Sequence, residues 1–592
     1  MKPDYASILV KLKIEEHRLI NWAKLVRLDY RDDQLVLNNM SKGLIMGILE
    51  QQQKLLYTFG RLNKNYKQLL NPLLEERPEQ FRPQLDLLLL QDRASADAAA
   101  LRFPQTEELL QKALAFSSRF TEVPKRLRWA ALDKGKMDGL VANLAHFNDK
   151  MHEALDKAQM ENLLDMQTRT NYQIVLLNHS VANLGKIIES QLSTSRLRDD
   201  DEYGYEENHR DEYEDKYGYG PECTPLASLA QFKAVNRQIE DAAALDDAFA
   251  EDVHLDKAHA SQLRETRITL AKLNPNTFPE ETEQVQRRSD VLYAGIPAWI
   301  EWKDDTSHPS LSPKTAERVS QLAALLKQLH RTVEFRAPRC LGYMRDEANL
   351  RFGLVFAKPS NVPASREPQS LRGLFEVRNS LHDRIAPPLD HRVELMRRLA
   401  ETLERLHAVG WLHKGLSSAN VLFFSAASTR DADRLRPYIC GFDYSRPAVR
   451  NDMTEQPPDD KEANLYRHPA VQSDAARAGY KRSHDVYALG VVLLEIAHWA
   501  PVERILKIDV DSCGPKVVRG VRERLLTEPA PLAFVRAWCG TAVEAAVRAC
   551  LGGLEGLGLS EGENERDEGV AARLQMAFYE RVVRRLKEVR GL

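Results

Sequence analysis

Residues 196–222, RLRDDDEYGYEENHRDEYEDKYGYGPE, constrain the fold of this 592-residue chain more than any other stretch. Eleven acidic residues stand there against four basic ones, and Leu197 is the only aliphatic side chain. Such a segment cannot bury enough apolar surface to offset the entropy of ordering it. The composition predicts a disordered, acidic, Tyr-rich linker and a domain boundary at 196–222. The chain therefore has a separate packing problem to solve on each side. The net charge of −3 divides unevenly: the linker carries −7, residues 1–195 carry +3 and residues 223–592 carry +1. A chain of this length exceeds one hydrophobic core, and roughly three or four domain-sized units are expected.

On the N-terminal side the apolar residues recur at helical spacing. Ile8, Leu12, Leu19, Trp22 and Val26 share one face, and Ile48, Leu55, Phe59, Leu62, Tyr66 and Leu69 share another. A third stripe runs through Leu140, Leu144, Phe147, Met151 and Leu155, and a fourth through Leu177, Val181, Leu184, Ile188 and Leu192. Each stripe must be buried against another, so residues 1–195 are expected to form an all-α helical bundle. Residues 223–275 alternate helical and polar stretches between Pro225 and Pro275, and are expected to be bracing or connecting helices.

On the C-terminal side three pieces carry chemistry: WLHKGLSSANVLFF at 411–424, YICGFDYSRP at 438–447 and SHDVYALGVVLLEI at 483–496. In order and spacing they resemble the catalytic loop, the metal-binding segment and the helix after the activation segment of a protein kinase. That catalytic loop has the form H-R-D-L-x-x-x-N, in which the Asp takes the substrate proton and the Asn holds magnesium. Here the frame is His413-Lys414-Gly415-Leu416-Ser417-Ser418-Ala419-Asn420. Gly415 stands at the base position and cannot accept a proton. Gly441-Phe442-Asp443 stands for D-F-G, so Gly441 replaces the metal-binding carboxylate. Lys414 and Ser417 replace the usual Arg and Lys. The residues that hold such a fold together, His413, Phe442 and Asp485, keep their identities.

The resemblance implies a pseudokinase at 276–592, an α+β bilobal fold with a small lobe to about 360 and a large lobe over 361–592. No catalytic residue is expected, the degenerate positions being Gly415, Ser417 and Gly441. Lys303, in PAWIEWK, resembles the phosphate-pairing Lys of the third strand. Glu317, on a helix from about Pro313 to His330, is its candidate ion-pair partner. Read without the downstream motifs, both are ordinary exposed charges. No glycine-rich loop precedes the strand; the nearest segment is DVLYAGI at 290–296. ATP, held without turnover through Lys303, Glu317 and Asn420, is the one cofactor the resemblance leaves open.

DYASILVKLKIEEHRLINWAKLVRL and KRLRWAALDKGKMDGLVANLAHFNDKMHEAL resemble the HeLo domain of fungal cell-death and prion-inhibition proteins. In that family an apolar N-terminal helix inserts into membranes, and the present sequence opens after the place where that helix stands. The combination of HeLo-like bundle, tether and pseudokinase resembles the layout of mixed-lineage kinase-domain-like protein. It implies a non-catalytic signalling or cell-death effector, as in fungal incompatibility or necroptosis-like death. Its partners would be a second copy through the bundle, an upstream protein through the kinase-like domain, and an anionic membrane. Lys125, Arg126 and Arg128 are the lipid-contact candidates, though on sequence alone a solvated helix end fits them slightly better. A cytoplasmic location with recruitment to membrane on activation follows from the same reading. Two other readings stay open: a weak or unconventional protein kinase with a helical regulatory domain, and a protein-binding scaffold.

Composition narrows the remainder. The six cysteines include no CxxC pair, so neither a zinc site nor a disulfide framework is suggested. No stretch of about 18 apolar residues occurs. No nucleic-acid partner and no metal are expected.

Overall fold

The computed structural model describes scattered positions between 11 and 51 and residues 134–152, 155, 157–198, 225–241, 243–268, 288–304, 312–330, 335–359, 362, 367–377, 386–424, 436–448, 460–472 and 479–589. Two compact units result, one of residues 1–174 and 186–226, the other of residues 175–185 and 227–592. Lys125, Arg126, Arg128 and residues 199–222 of the expected linker lie outside the described residues.

The first unit is helical. Helix α1 (Lys134–His152) buries Leu140, Leu144 and Met151, as their spacing predicts. Trp22 is completely buried among Ile48, Met151 and Leu163, and its indole N–H donates to the Met151 carbonyl at 3.1 Å. That bond answers the one polar atom of an otherwise apolar anchor. Around it Arg18 joins Glu15 at 2.9 Å and Asp149 at 2.5 Å, and the Asn148 amide donates to Glu15 at 2.9 Å. Glu15, Arg18 and Trp22 are thereby fastened to α1 by one apolar and one ionic contact.

The periodicity misplaces the next element. Instead of one stripe from Leu177 to Leu192, two helices meet there, α2 (Lys157–Leu177) and α3 (Val181–Arg198). Leu163, Tyr172, Val175 and Leu176 form the buried face of α2, and Leu184, Ile187 and Ile188 that of α3, while Leu177 and Val181 flank the break. Asn178-His179-Ser180 causes it, because such side chains offer the backbone partners outside a helix. The Asn178 amide turns back onto the Val175 carbonyl, and Ser180 accepts the first amide of α3, from Leu184. Because α3 runs to Arg198, the first three residues expected in the linker are helical.

The second unit begins with the turn at 175–185 and α4 (Pro225–Glu240), whose Pro suits a first helical turn. The buried Lys233 donates to the carbonyls of Val175 at 2.6 Å and Leu176 at 2.8 Å. It places a positive charge where the orphan carbonyls of α2 end. Two short helices follow, α5 (Asp247–Asp252) and α6 (Lys257–Arg264), each opened by an Asp cap, Asp246 on the Phe249 amide and Asp256 on the His259 amide.

Next comes a four-stranded antiparallel sheet of order β1-β2-β4-β3: β1 (Arg288–Tyr293), β2 (Ile296–Asp304), β3 (Arg339–Asp346) and β4 (Arg351–Ala357). Ala294 and Gly295, both at positive φ, make the two-residue turn from β1 to β2. Helix α7 (Ser312–His330) packs on β3. The outer edge of β3 is covered by the chain after α6: the Ile268 amide donates to Tyr343, and the Tyr343 amide to Thr266. Gly342 permits this approach, since a Cβ there would strike the Thr266 carbonyl and its φ is +144°.

Beyond the sheet the chain is largely helical, with two small antiparallel ladders. One has the order β5-β7-β8, from β5 (Gln369–Ser370), β7 (Val421–Phe423) and β8 (Tyr438–Ile439). The other pairs β6 (Trp411–Leu412) with β9 (Arg446–Pro447). Helix α8 (Leu371–Leu374) follows β5, and α9 (Leu389–Ala408) leads into β6. Helix α10 (Arg482–His498) is buried on every side from Ser483 to Ala497, which its near-continuous apolar sequence requires. The expected α+β class holds at this level, as helices with antiparallel sheets beside a helical N-terminal region.

Candidate functional site

The sequence-predicted residues of the second unit, Glu317 excepted, converge where the loop after β6 meets the segment after β8. Asp485, in the first turn of α10, organises the loop. Its two oxygens accept from the amides of His413 at 2.8 Å and Lys414 at 2.9 Å, and from the Tyr480 hydroxyl at 2.8 Å. Burial opposes its charge, yet the His407 contact and these donors more than offset that and hold the carboxyl below its ordinary range. His407 lies 3.4 Å away, and burial keeps it neutral, so the two meet as hydrogen-bond neighbours rather than as an ion pair. The rigid loop tolerates Lys414 in the left-handed region, at φ 65°. Phe442 is completely buried with its ring 4.7 Å from that of His413, and the Ser445 hydroxyl donates to the His413 carbonyl at 2.6 Å.

Asn420 links this loop to the sheet. Its amide nitrogen donates to the Gly415 carbonyl at 2.6 Å, and its oxygen accepts from Arg288 at 2.9 Å. Arg288, the first residue of β1, faces Glu301 of β2 in the strand register, and donates to its carboxylate at 2.8 Å and to the Ala419 carbonyl at 2.9 Å. The second oxygen of Glu301 accepts from the Gly441 amide at 3.0 Å. Glu301 and Asn420 are almost fully buried. For Arg288, burial works against the charge, and Glu301 beside it raises the guanidinium further above its ordinary range.

One expectation fails here. Lys303 and Glu317 are not brought together. Lys303 is buried and donates to the Asp443 carbonyl at 2.9 Å, beneath the Tyr444 ring, whereas Glu317 is exposed on α7 and accepts from Gln321. The side chain of the β2 strand that reaches Gly441 is Glu301, two residues earlier on the same face. Nor is Gly415 an open position. A Cβ there would lie 2.5 Å from the Gly441 carbonyl oxygen, and one on Gly441, at φ +80°, would collide with the Asn420 amide. Ser417 opens the short turn at Ser418–Asn420 and accepts the Asn420 amide through its carbonyl.

Chemically, Arg288, Glu301 and Asn420 answer one another, while the buried His413 Nε2 has no hydrogen-bond partner. A magnesium–nucleotide pair does not suit this arrangement: Asn420 is engaged at both ends, Gly441 supplies no carboxylate, and Glu301 would repel a phosphate. Among the described residues, no group of three His, Cys, Asp or Glu is arranged to hold a metal.

Arg288 and Glu301 were the functional residues that the motif frame missed. A signal existed: a carboxylate inside the apolar run Ala298–Trp302 requires a partner on a neighbouring strand.

The HeLo family model, described as prion-inhibition and propagation, matches residues 1–187. The match spans about a third of the chain and ends within α3; the helical N-terminal region is thus similar to the HeLo family, and the similarity supports a signalling role. No curated protein matches the chain. No helix among the described residues is long and apolar enough to cross a membrane.

Proposed function

We propose that residues 276–592 are a protein-kinase-like domain that has lost phosphoryl transfer and regulates the HeLo-type region, making the chain a non-catalytic signalling or cell-death effector. The observation that carries this reading is the closure of Arg288, Glu301 and Asn420 over Gly415 and Gly441. A transferase needs a proton acceptor and a metal carboxylate at those two places. The hydrogen bonds of Asp485 to the loop amides support the domain assignment, because they preserve a scaffold around reactive positions that are gone.

On this reading the kinase-like domain binds an upstream protein, and the HeLo-type region self-associates and acts at an anionic membrane from the cytoplasm. Switching requires only a two-state element that a partner or a modification biases. Two measurements test it. The purified chain, given radiolabelled ATP with magnesium or manganese, is expected to label no substrate; labelling that disappears in Lys303→Ala would refute the loss of catalysis. Activated chain is expected to release dye from anionic liposomes, and intact liposomes under every activating condition would refute the membrane role.

A further inference from the structure

We propose that Arg288 is an internal cation that permanently clasps the sheet to the loop at 413–420, and that Gly415 and Gly441 are required by this clasp rather than being mere losses. The inference rests on the pseudokinase reading and deepens it. Three donors of one guanidinium meet three oxygens: the Glu301 carboxylate, the Ala419 carbonyl and the Asn420 amide oxygen, all at 2.8–2.9 Å. An all-oxygen set with one carboxylate is what a hard metal cation would seek. Here a covalently attached, always charged, planar group takes it, with a fork of donors no metal can match.

The steric evidence ties the clasp to the glycines. The Asn420 amide can reach the Gly415 carbonyl only because neither Gly415 nor Gly441 has a Cβ: one would strike the Gly441 carbonyl, the other the Asn420 side chain. The Gly441 amide is in turn free to bind the second oxygen of Glu301. An Asp at either position would break the ring of contacts. The clasp and catalytic carboxylates are therefore mutually exclusive, and the chain has the clasp.

The test uses the full chain with Arg288→Ala, Arg288→Lys and Glu301→Gln, reading amide hydrogen exchange at Gly441 and the melting temperature. In Arg288→Ala the Gly441 amide is expected to exchange about tenfold faster or more, the effect of losing one charge-supported hydrogen bond. Millimolar guanidinium is expected to raise the melting temperature of Arg288→Ala, but not that of the wild type or of Arg288→Ala with Glu301→Gln. Should Arg288→Ala not fold, Glu301→Gln is expected to show the same acceleration at Gly441, and Arg288→Lys a smaller one. Unchanged exchange at Gly441 in these variants, or guanidinium rescue that ignores Glu301, overturns the clasp. A wild-type melting shift with magnesium–ATP would instead overturn the closed-site reading beneath it, whatever the variants do.

Discussion

Glu495, inside α10, is completely buried, and replacing it by Gln should reverse the pH response of the second unit. One of its oxygens accepts from the Tyr466 hydroxyl at 2.7 Å and from the Val502 amide at 2.8 Å; the other has no partner. Burial pushes its carboxyl up to about 8, with Glu503 adding to the rise and the Tyr466, Val502 and Ser418 contacts opposing it. The folded protein therefore holds the proton at neutral pH while the unfolded chain releases it from about 4.5 upward. Stability from this group is complete below the unfolded value and falls as pH rises to the folded one. At 1.36 kcal/mol per pH unit, the loss between pH 5 and pH 8 is about 3–4 kcal/mol. Gln reproduces the neutral acid and does not titrate. Urea unfolding, followed by tryptophan fluorescence at unit pH steps, should show Glu495→Gln gaining that amount on the wild type between pH 5 and pH 8. The histidines that burial holds below their ordinary range, among them half-buried His468 and buried His484, lose stability as pH falls below 6.5, but they do so in both proteins and cancel in the difference. Parallel curves for the two proteins would refute the argument.

Three further outcomes are expected. Phe442→Ala, removing a fully buried ring that packs at a tilt against His413, should cost about 3–5 kcal/mol in the same unfolding assay. Gly415→Asp, whose Cβ would meet the Gly441 carbonyl at 2.5 Å, should cost about 1–3 kcal/mol and restore no transfer; a neutral melt would mean the loop is more open than described. Lys233→Met strips the Leu176 carbonyl of its donor and leaves the Val175 carbonyl with the Asn178 amide alone, and should speed amide exchange across residues 175–185 while lowering stability by about 1–3 kcal/mol.

What could be read in advance was governed by whether the controlling interaction is local. Leu140, Leu144 and Met151 are buried where their period places them, and Trp22 is an anchor, because a helix face must be covered whatever covers it. Asp485 and Phe442 could be located because a motif keeps their neighbours at fixed distances along the chain. The break at Asn178–Ser180 was hidden, since apolar residues on both sides keep a helical spacing through three polar residues that turn. Lys303 misled for a related reason. The charged residues of β2 alternate on one face, and only the register opposite Arg288 shows which of them the loop meets. The steric closure at Gly415 depends on the Gly441 backbone, 26 residues away, which no local pattern encodes.

The crossing of Thr266–Ile268 against β3 has a consequence for handling the protein in pieces. A border strand with bare amides and carbonyls is a template for pairing with other molecules. In the whole chain that border is sealed by residues lying before 276, the position where the sequence resemblance implies that the C-terminal domain starts. A fragment started there would be cut from its own seal, baring the backbone of Tyr343 and the neighbouring apolar side chains. Such a fragment should form strand-paired aggregates, whereas one begun at Pro225, which keeps α4 with its buried Phe232 on Phe335 and Trp411, should remain monodisperse.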